Sequence, residues 1–235
     1  MGVLNNIKLY FALVDIDGTL KDLVKENTTA LINAMKRMNN IHLTKRGKFV
    51  LWINRCNMHF VKTGMLPTNC LMQNVLLFIY SSLLFKNYNV FKKVYFEEYN
   101  KENIFFECAE EMIQNLTDND FILYLVTKNK QNKRMLKLKD KDIIKSIRRI
   151  VVGRRKVSKY QLYKSFMSNK LICKDEVLII GDNFWDDVLP GLLLGSTVVW
   201  CNMYNSKLKK LVINILKLFF RNVRDEKELF MVNKS

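Results

Sequence analysis

The chain has 235 residues, 49% of them apolar, and a formal net charge of +17. That apolar share excludes a disordered chain, and 8 Gly with 2 Pro exclude collagen-like or linker-rich architecture. At about 100–200 residues per domain, the length suits one large domain or a core carrying an insert.

The charge is uneven. Residues 1–120 carry a net +2 and residues 121–235 a net +15. The segment 128–164 alone holds fifteen Lys and Arg against Asp140 and Asp142. Such a patch attracts phosphate esters, nucleic acid or acidic lipid. A chain encoded by Lys- and Asn-rich codons reaches the same count with no partner at all.

Addressing signals are weak. No basic leader with an apolar stretch opens the chain, and Asn6 breaks the myristoylation pattern behind Gly2. The longest apolar run, 71–85, is short for the roughly 20 residues of a membrane span, so no transmembrane segment is expected. The five cysteines form no C-x-x-C pair and read as buried free thiols in a reducing compartment, which implies the cytoplasm. His42 and His59 show no ligand spacing.

In chain order, 8–17 is a continuous apolar run ending in acids, the pattern of a buried strand. Helical periodicity follows at 28–38, 44–61, 68–85, 90–99 and 104–116, with Asn27 or Thr28 as a cap for the first. Gly64 and Pro67 punctuate one connection. Strand character returns at 121–127, 147–153, 176–182 and 197–201, with a last short strand at 229–232. Helices are expected at 158–168, at 184–194 despite Pro190 and Gly191, and at 206–223. Strands alternating with helices predict an α/β fold with a parallel, Rossmann-like sheet. An all-helical insert, 21–116, splits that core into 1–20 and 117–235.

Ligands of open parallel sheets bind at the carboxyl ends of the strands. The first strand delivers Asp15, Asp17, Gly18 and Thr19 there. The strand at 121–127 delivers Thr127 and then Lys128, and the one at 176–182 delivers Asp182, with Asp186 and Asp187 just beyond. Lys159 opens the preceding helix. Several carboxylates in one pocket raise each other's pKa or gather a cation, and hard oxygen ligands suit Mg²⁺. Asp15 is then placed to attack phosphorus, and Asp17 to act as general acid and base. Gly18 permits the tight turn. Thr127, Lys128 and Lys159 are placed to bind phosphoryl oxygens.

Four motifs in this order, VDIDGTL at 14–20, LYLVT at 123–127, Lys159 and IIGDNFWDD at 179–187, resemble the haloacid dehalogenase superfamily of hydrolases. The resemblance implies a Mg²⁺-dependent phosphate-transfer site with Asp15 as nucleophile, Asp17 as acid and base, and Asp15, Asp17, Asp182 and Asp187 around the metal. Asp17 favours phosphatase or phosphomutase work over dehalogenation. The insert position resembles the helical cap of one subclass, which closes over small phosphorylated substrates. Lys156 competes with Lys159 for the third motif, with Lys164 a remote third, and Asp186 competes with Asp187 as the second metal acid. A nucleic-acid-binding protein, or a phosphatase of nucleic-acid ends using the 128–164 patch, is the alternative reading.

Overall fold

The structure, a computed structural model, describes residues 11–64, 70–128, 147–152, 157–170, 172–204, 206–220 and 222–225. Six strands form its sheet: β1 (Phe11–Asp15), β2 (Ile122–Thr127), β3 (Ile147–Val152), β4 (Val177–Gly181), β5 (Thr197–Trp200) and β6 (Val223–Asp225). Their order is β3-β2-β1-β4-β5-β6, and every pairing is parallel. The apolar runs follow from this topology, because a parallel sheet is covered on both faces. Successive side chains alternate between the faces. Ala12, Val14, Leu123, Leu125, Leu178 and Ile180 pack on one side, and Leu13, Tyr124, Val126, Ile179, Val198 and Trp200 on the other.

Four helices fill the chain after β1: α1 (Leu23–Arg37), α2 (Lys45–Val61), α3 (Cys70–Leu83) and α4 (Tyr88–Tyr99). They bury a cluster of their own, including Leu31, Met35, Val50, Leu77, Phe91 and Tyr95. The first of them begins ahead of the expected residue 28, because Asp22 is its cap and accepts from Lys25 N at 2.9 Å. Thr44 caps the second in the same way, accepting from Gly47 N at 3.0 Å.

The next helix, α5 (Ala109–Asp118), runs across residue 116, where the sequence places the end of the insert. Its buried residues Ala109, Met112, Ile113 and Leu116 join the sheet cluster, not the cluster of the four helices. An amphipathic stripe shows in the sequence that a helix is packed, but not which neighbour packs it.

The chain leaves and re-enters the sheet layer through one narrow crossing. Asp22 N donates to Ile104 O at 2.9 Å, Phe106 N donates to Leu20 O at 3.0 Å, and Lys21 bridges Phe105 in antiparallel fashion. Within this crossing Lys21 Nζ stands 2.7 Å from Glu26 Oε1, with both side chains buried. The same carboxylate accepts from Ile104 N at 3.1 Å.

After β3 come α6 (Lys159–Lys170), a π-helical turn at Phe184–Val188 running into α7 (Leu189–Leu193), and α8 (Lys207–Phe219). The single helix expected at 184–194 is thus two pieces, with Pro190 and Gly191 in the second. The helix expected to run to residue 223 stops at Phe219, since Phe220 is extended. Asn222 then catches the sheet: its O accepts from Val198 N at 2.8 Å and its Nδ2 donates to Ser196 O at 2.6 Å. That starts β6. The strand expected at 229–232 lies outside the described residues. Of the cysteines, Cys201 is buried as expected, whereas Cys56, on the outer face of α2, and Cys173, ahead of β4, are exposed. No described helix is long and apolar enough to cross a membrane.

Candidate active site

Three strands end side by side, and each hands a polar residue to the same edge. Asp15 ends β1, Thr127 ends β2 and Asp182 follows β4; all three are buried. Asn183 then turns the chain, its Oδ1 accepting from Trp185 N at 3.0 Å and Asp186 N at 3.1 Å. This turn brings the fully buried Asp187 back under the strand ends. Carboxylate oxygens of Asp15, Asp182 and Asp187 all lie within 4.8 Å of one another. Three hard oxygen donors converging out of water fit a divalent cation such as Mg²⁺.

Lys159, at the first turn of α6, points into this cluster. Its Nζ donates to Asp15 Oδ1 and, at 2.5 Å, to Asp187 Oδ1. Tyr163, one turn on, donates its hydroxyl to Asp187 Oδ1 at 2.9 Å. Burial alone would lower the Lys159 pKa, but the charges of Asp15 and Asp187 outweigh it and hold the ammonium well above its usual value. Burial also pushes the Asp15 carboxyl well up; Lys159 opposes that, and the neighbouring acids reinforce it. Asp182 is pushed up to about 6, by burial first, with Lys209 countering and Asp187 adding. Burial and then Asp187 raise the Tyr163 phenol.

The remaining expected residues divide. Asp17 is half-buried and stands outside the group of three clustered carboxylates, although its charge reaches both Asp15 and Asp182. Gly18 has φ +90°, and a Cβ there would stand 2.4 Å from Asp182 Oδ2, so only glycine lets that carboxylate lie against the turn. Asp186 points away from the cluster and pairs with the exposed Lys128 at its edge. Of the two competing acids, the geometry therefore brings Asp187 into the group. Lys164 is exposed, and Lys156 lies outside the described residues. So does most of the basic segment 128–164, the side chains of β3 included.

Two further groups meet Asp182 from behind. Lys209 of α8, 1% exposed, donates to its carbonyl at 2.6 Å, and Trp200 Nε1 donates to the same oxygen at 2.8 Å. The segment after α2 also reaches this point: Gly64 O accepts from Phe184 N at 2.8 Å. Gly64 has φ +64°, and a Cβ on it would fall 1.9 Å from Asp182 O. Sequence reading missed Tyr163 and Lys209 as members of the site. Both sit in Lys-rich helices, and their spacing from a strand end carries no signal. Gly64 was visible only as punctuation.

The acids give metal binding a direct readout. Without a cation, Asp182 binds its proton more tightly in the folded chain than in the unfolded one. Its contribution to stability is therefore present near pH 4 and lost as pH rises through about 6. A cation held by the ionised acids reverses this. Mg²⁺ at a hundred times its Kd adds about 2.7 kcal/mol, a Tm rise on the order of 5–10 °C for a chain of this size. Thermal denaturation should show that rise at pH 7.5 and a smaller one at pH 5. A Tm indifferent to Mg²⁺ at pH 7.5 would remove the cluster as a cation site.

Comparison with known proteins adds the family and bears on the fold. The family model for haloacid dehalogenase-like hydrolases matches residues 12–200. Among curated proteins, none matches. Among solved structures, the chain is similar to the HAD-hydrolase YfnB from Bacillus subtilis, in a magnesium-bound form, at TM-score 0.62 and 22% identity over 83% of this chain and 88% of that one. It is similar to a haloacid dehalogenase-like hydrolase from Xanthomonas campestris at TM-score 0.60 and 14% identity, over 94% and 87%. A protein described as a predicted phosphoglycolate phosphatase from Haemophilus somnus follows at TM-score 0.60 and 15% identity, over 86% and 90%. At such identities the likeness carries the fold, while the family match covers most of the chain: it belongs to the haloacid dehalogenase-like hydrolases.

Proposed function

We propose that the chain is a Mg²⁺-dependent phosphomonoester hydrolase for a small phosphorylated metabolite, working through an aspartyl-phosphate on Asp15. The observation that supports this most is Lys159 Nζ bonded to both Asp15 and Asp187 inside the buried acid cluster. In this reading a carboxylate oxygen of Asp15 attacks phosphorus, and the ester oxygen leaves as an alcohol with a proton from Asp17. Asp17, now ionised, takes a proton from water. The hydroxide attacks the phosphoryl group, releasing inorganic phosphate and restoring Asp15. Thr127, with Lys128 at the rim, holds phosphoryl oxygens, and Lys159 offsets the charge that builds on them. Mg²⁺, held by Asp15, Asp182 and Asp187, supplies neutralisation of the phosphoryl charge.

The four helices act as a cap, and the Thr63–Gly64 segment that touches Asp182 is where the cap meets the chemistry. Selection of the substrate falls to cap side chains, since the acids, Thr127 and Lys159 at the strand ends are directed at the phosphate and the metal. The free thiols of Cys56, Cys108, Cys173 and Cys201 suit a reducing, cytoplasmic setting.

The test is phosphate release from an aryl phosphate and from a panel of sugar phosphates, nucleotides, phosphoglycolate and end-phosphorylated oligonucleotides. Turnover should need Mg²⁺ and stop with EDTA. Silence across the panel with Mg²⁺ present would overturn the proposal, and turnover confined to oligonucleotides would shift it to the nucleic-acid alternative.

A further inference from the structure

The helical insert carries large apolar groups in water. Phe49 is 50% exposed, Trp52 59%, Phe60 57% and Phe85 72%. On α2 the positions 49, 52, 56 and 60 fall on one face, opposite the buried Val50, Asn54 and Met58. Phe85, just beyond α3, joins this face through Arg46, whose guanidinium lies 4.0 Å from its ring centre. Isolated exposed apolar residues need no explanation, but a contiguous aromatic face does.

Its charge setting identifies the occupant. Residues 27–96 contain ten Lys and Arg and no Asp or Glu. Around the aromatic face, Lys45, Arg46, Lys48 and Arg55 are all exposed. A second copy of the same face would bring like charges together with no acid to answer them, which disfavours self-association. A nucleic-acid strand would need open ring faces for stacking. Here one face of each of three rings is already covered: Phe49 and Trp52 stack on each other at 5.8 Å and 13°, and Arg46 lies over Phe85. What remains exposed are large apolar groups beside cations, the composition of a helix lying in a lipid–water interface.

We propose that α2 and the end of α3 dock the protein peripherally on an anionic lipid surface. The aromatic groups enter the headgroup boundary, and the flanking Lys and Arg meet the lipid charge. The proposal rests on this surface alone and is independent of the reaction assigned to the acid cluster.

The experiment is co-sedimentation of the full chain with vesicles of phosphatidylcholine alone and of phosphatidylcholine with ~30% phosphatidylserine. Binding should appear on the anionic vesicles, stay low on the neutral ones, and fall several-fold between about 0.1 and 0.5 M NaCl. The double variant Phe49→Ser/Trp52→Ser should lower the partition coefficient by about tenfold or more while keeping wild-type circular dichroism. If that variant loses its fold, Lys48→Gln/Arg55→Gln, altered only at exposed positions, should lose binding to the anionic vesicles instead. Equal sedimentation with both vesicle types, no sedimentation, folded variants that bind like wild type, or preferential capture of a single-stranded oligonucleotide over vesicles would each overturn it.

Discussion

Asp15→Asn should abolish phosphate release while leaving the protein folded. The loss expected is above about 10⁴-fold in kcat, because the neutral amide that replaces the carboxylate is a far weaker nucleophile. Asp17→Asn should lose less, about 10²–10⁴-fold, the range that a general acid and base carries. The fold should tolerate the first change. The Asp15 carboxyl is held well above its usual pKa, chiefly by burial, so at neutral pH its ionised form weakens the metal-free protein and a neutral amide does not. Lys159 keeps its bond to Asp187 at 2.5 Å in either case. Steady-state kinetics beside thermal denaturation read both halves. Residual turnover within tenfold of wild type would take the nucleophile assignment away from Asp15.

The second large effect lies away from the acids. Lys21 and Glu26 face each other at 2.7 Å with side chains 1% and 0% exposed. Removing one partner leaves the other charge buried and uncompensated, which costs about 3–5 kcal/mol. Lys21→Met should therefore lower Tm by roughly 6–20 °C. Glu26→Gln keeps an acceptor for Ile104 N and removes only the charge, so it isolates the electrostatic part. The double variant should recover much of the loss, because an apolar and a neutral group can share the site that one lone charge cannot. Urea unfolding of the two single variants and the double supplies the full cycle. A Lys21→Met protein within 1 kcal/mol of wild type would show that the pair carries no such weight.

The acid cluster was legible from sequence for a definite reason. Asp15 and Asp182 each close an uninterrupted apolar run, and in a parallel sheet such runs end at one edge. Asp187 could be preferred over Asp186 only by spacing, and the turn capped by Asn183 is what sends one inward and the other to Lys128. Tyr163 and Lys209 were hidden because burial at one position of a basic helix is decided by tertiary packing. The same holds for α5, whose stripe fits either cluster, and for β6, which exists because Asn222 binds Ser196 and Val198 across the sheet. The partner of Lys21 was equally invisible: a Lys and a Glu five residues apart normally reach water.

The crossing at Leu20–Asp22 and Ile104–Phe106 has one more consequence. Some eighty residues leave the sheet and return, yet their two ends are a single hydrogen bond apart, Asp22 N to Ile104 O. For loops already closed at the base, doubling the length costs only about 0.6 kcal/mol. The helices can thus be lengthened, shortened or exchanged over generations without disturbing the register of β1 against β2. The part of the chain that holds the acids and the inserted helices are free to evolve at different rates, provided that the few contacts between them are kept, among them the buried ion pair, the Tyr204 hydroxyl on Val24 N and the glycine resting on the carbonyl of Asp182.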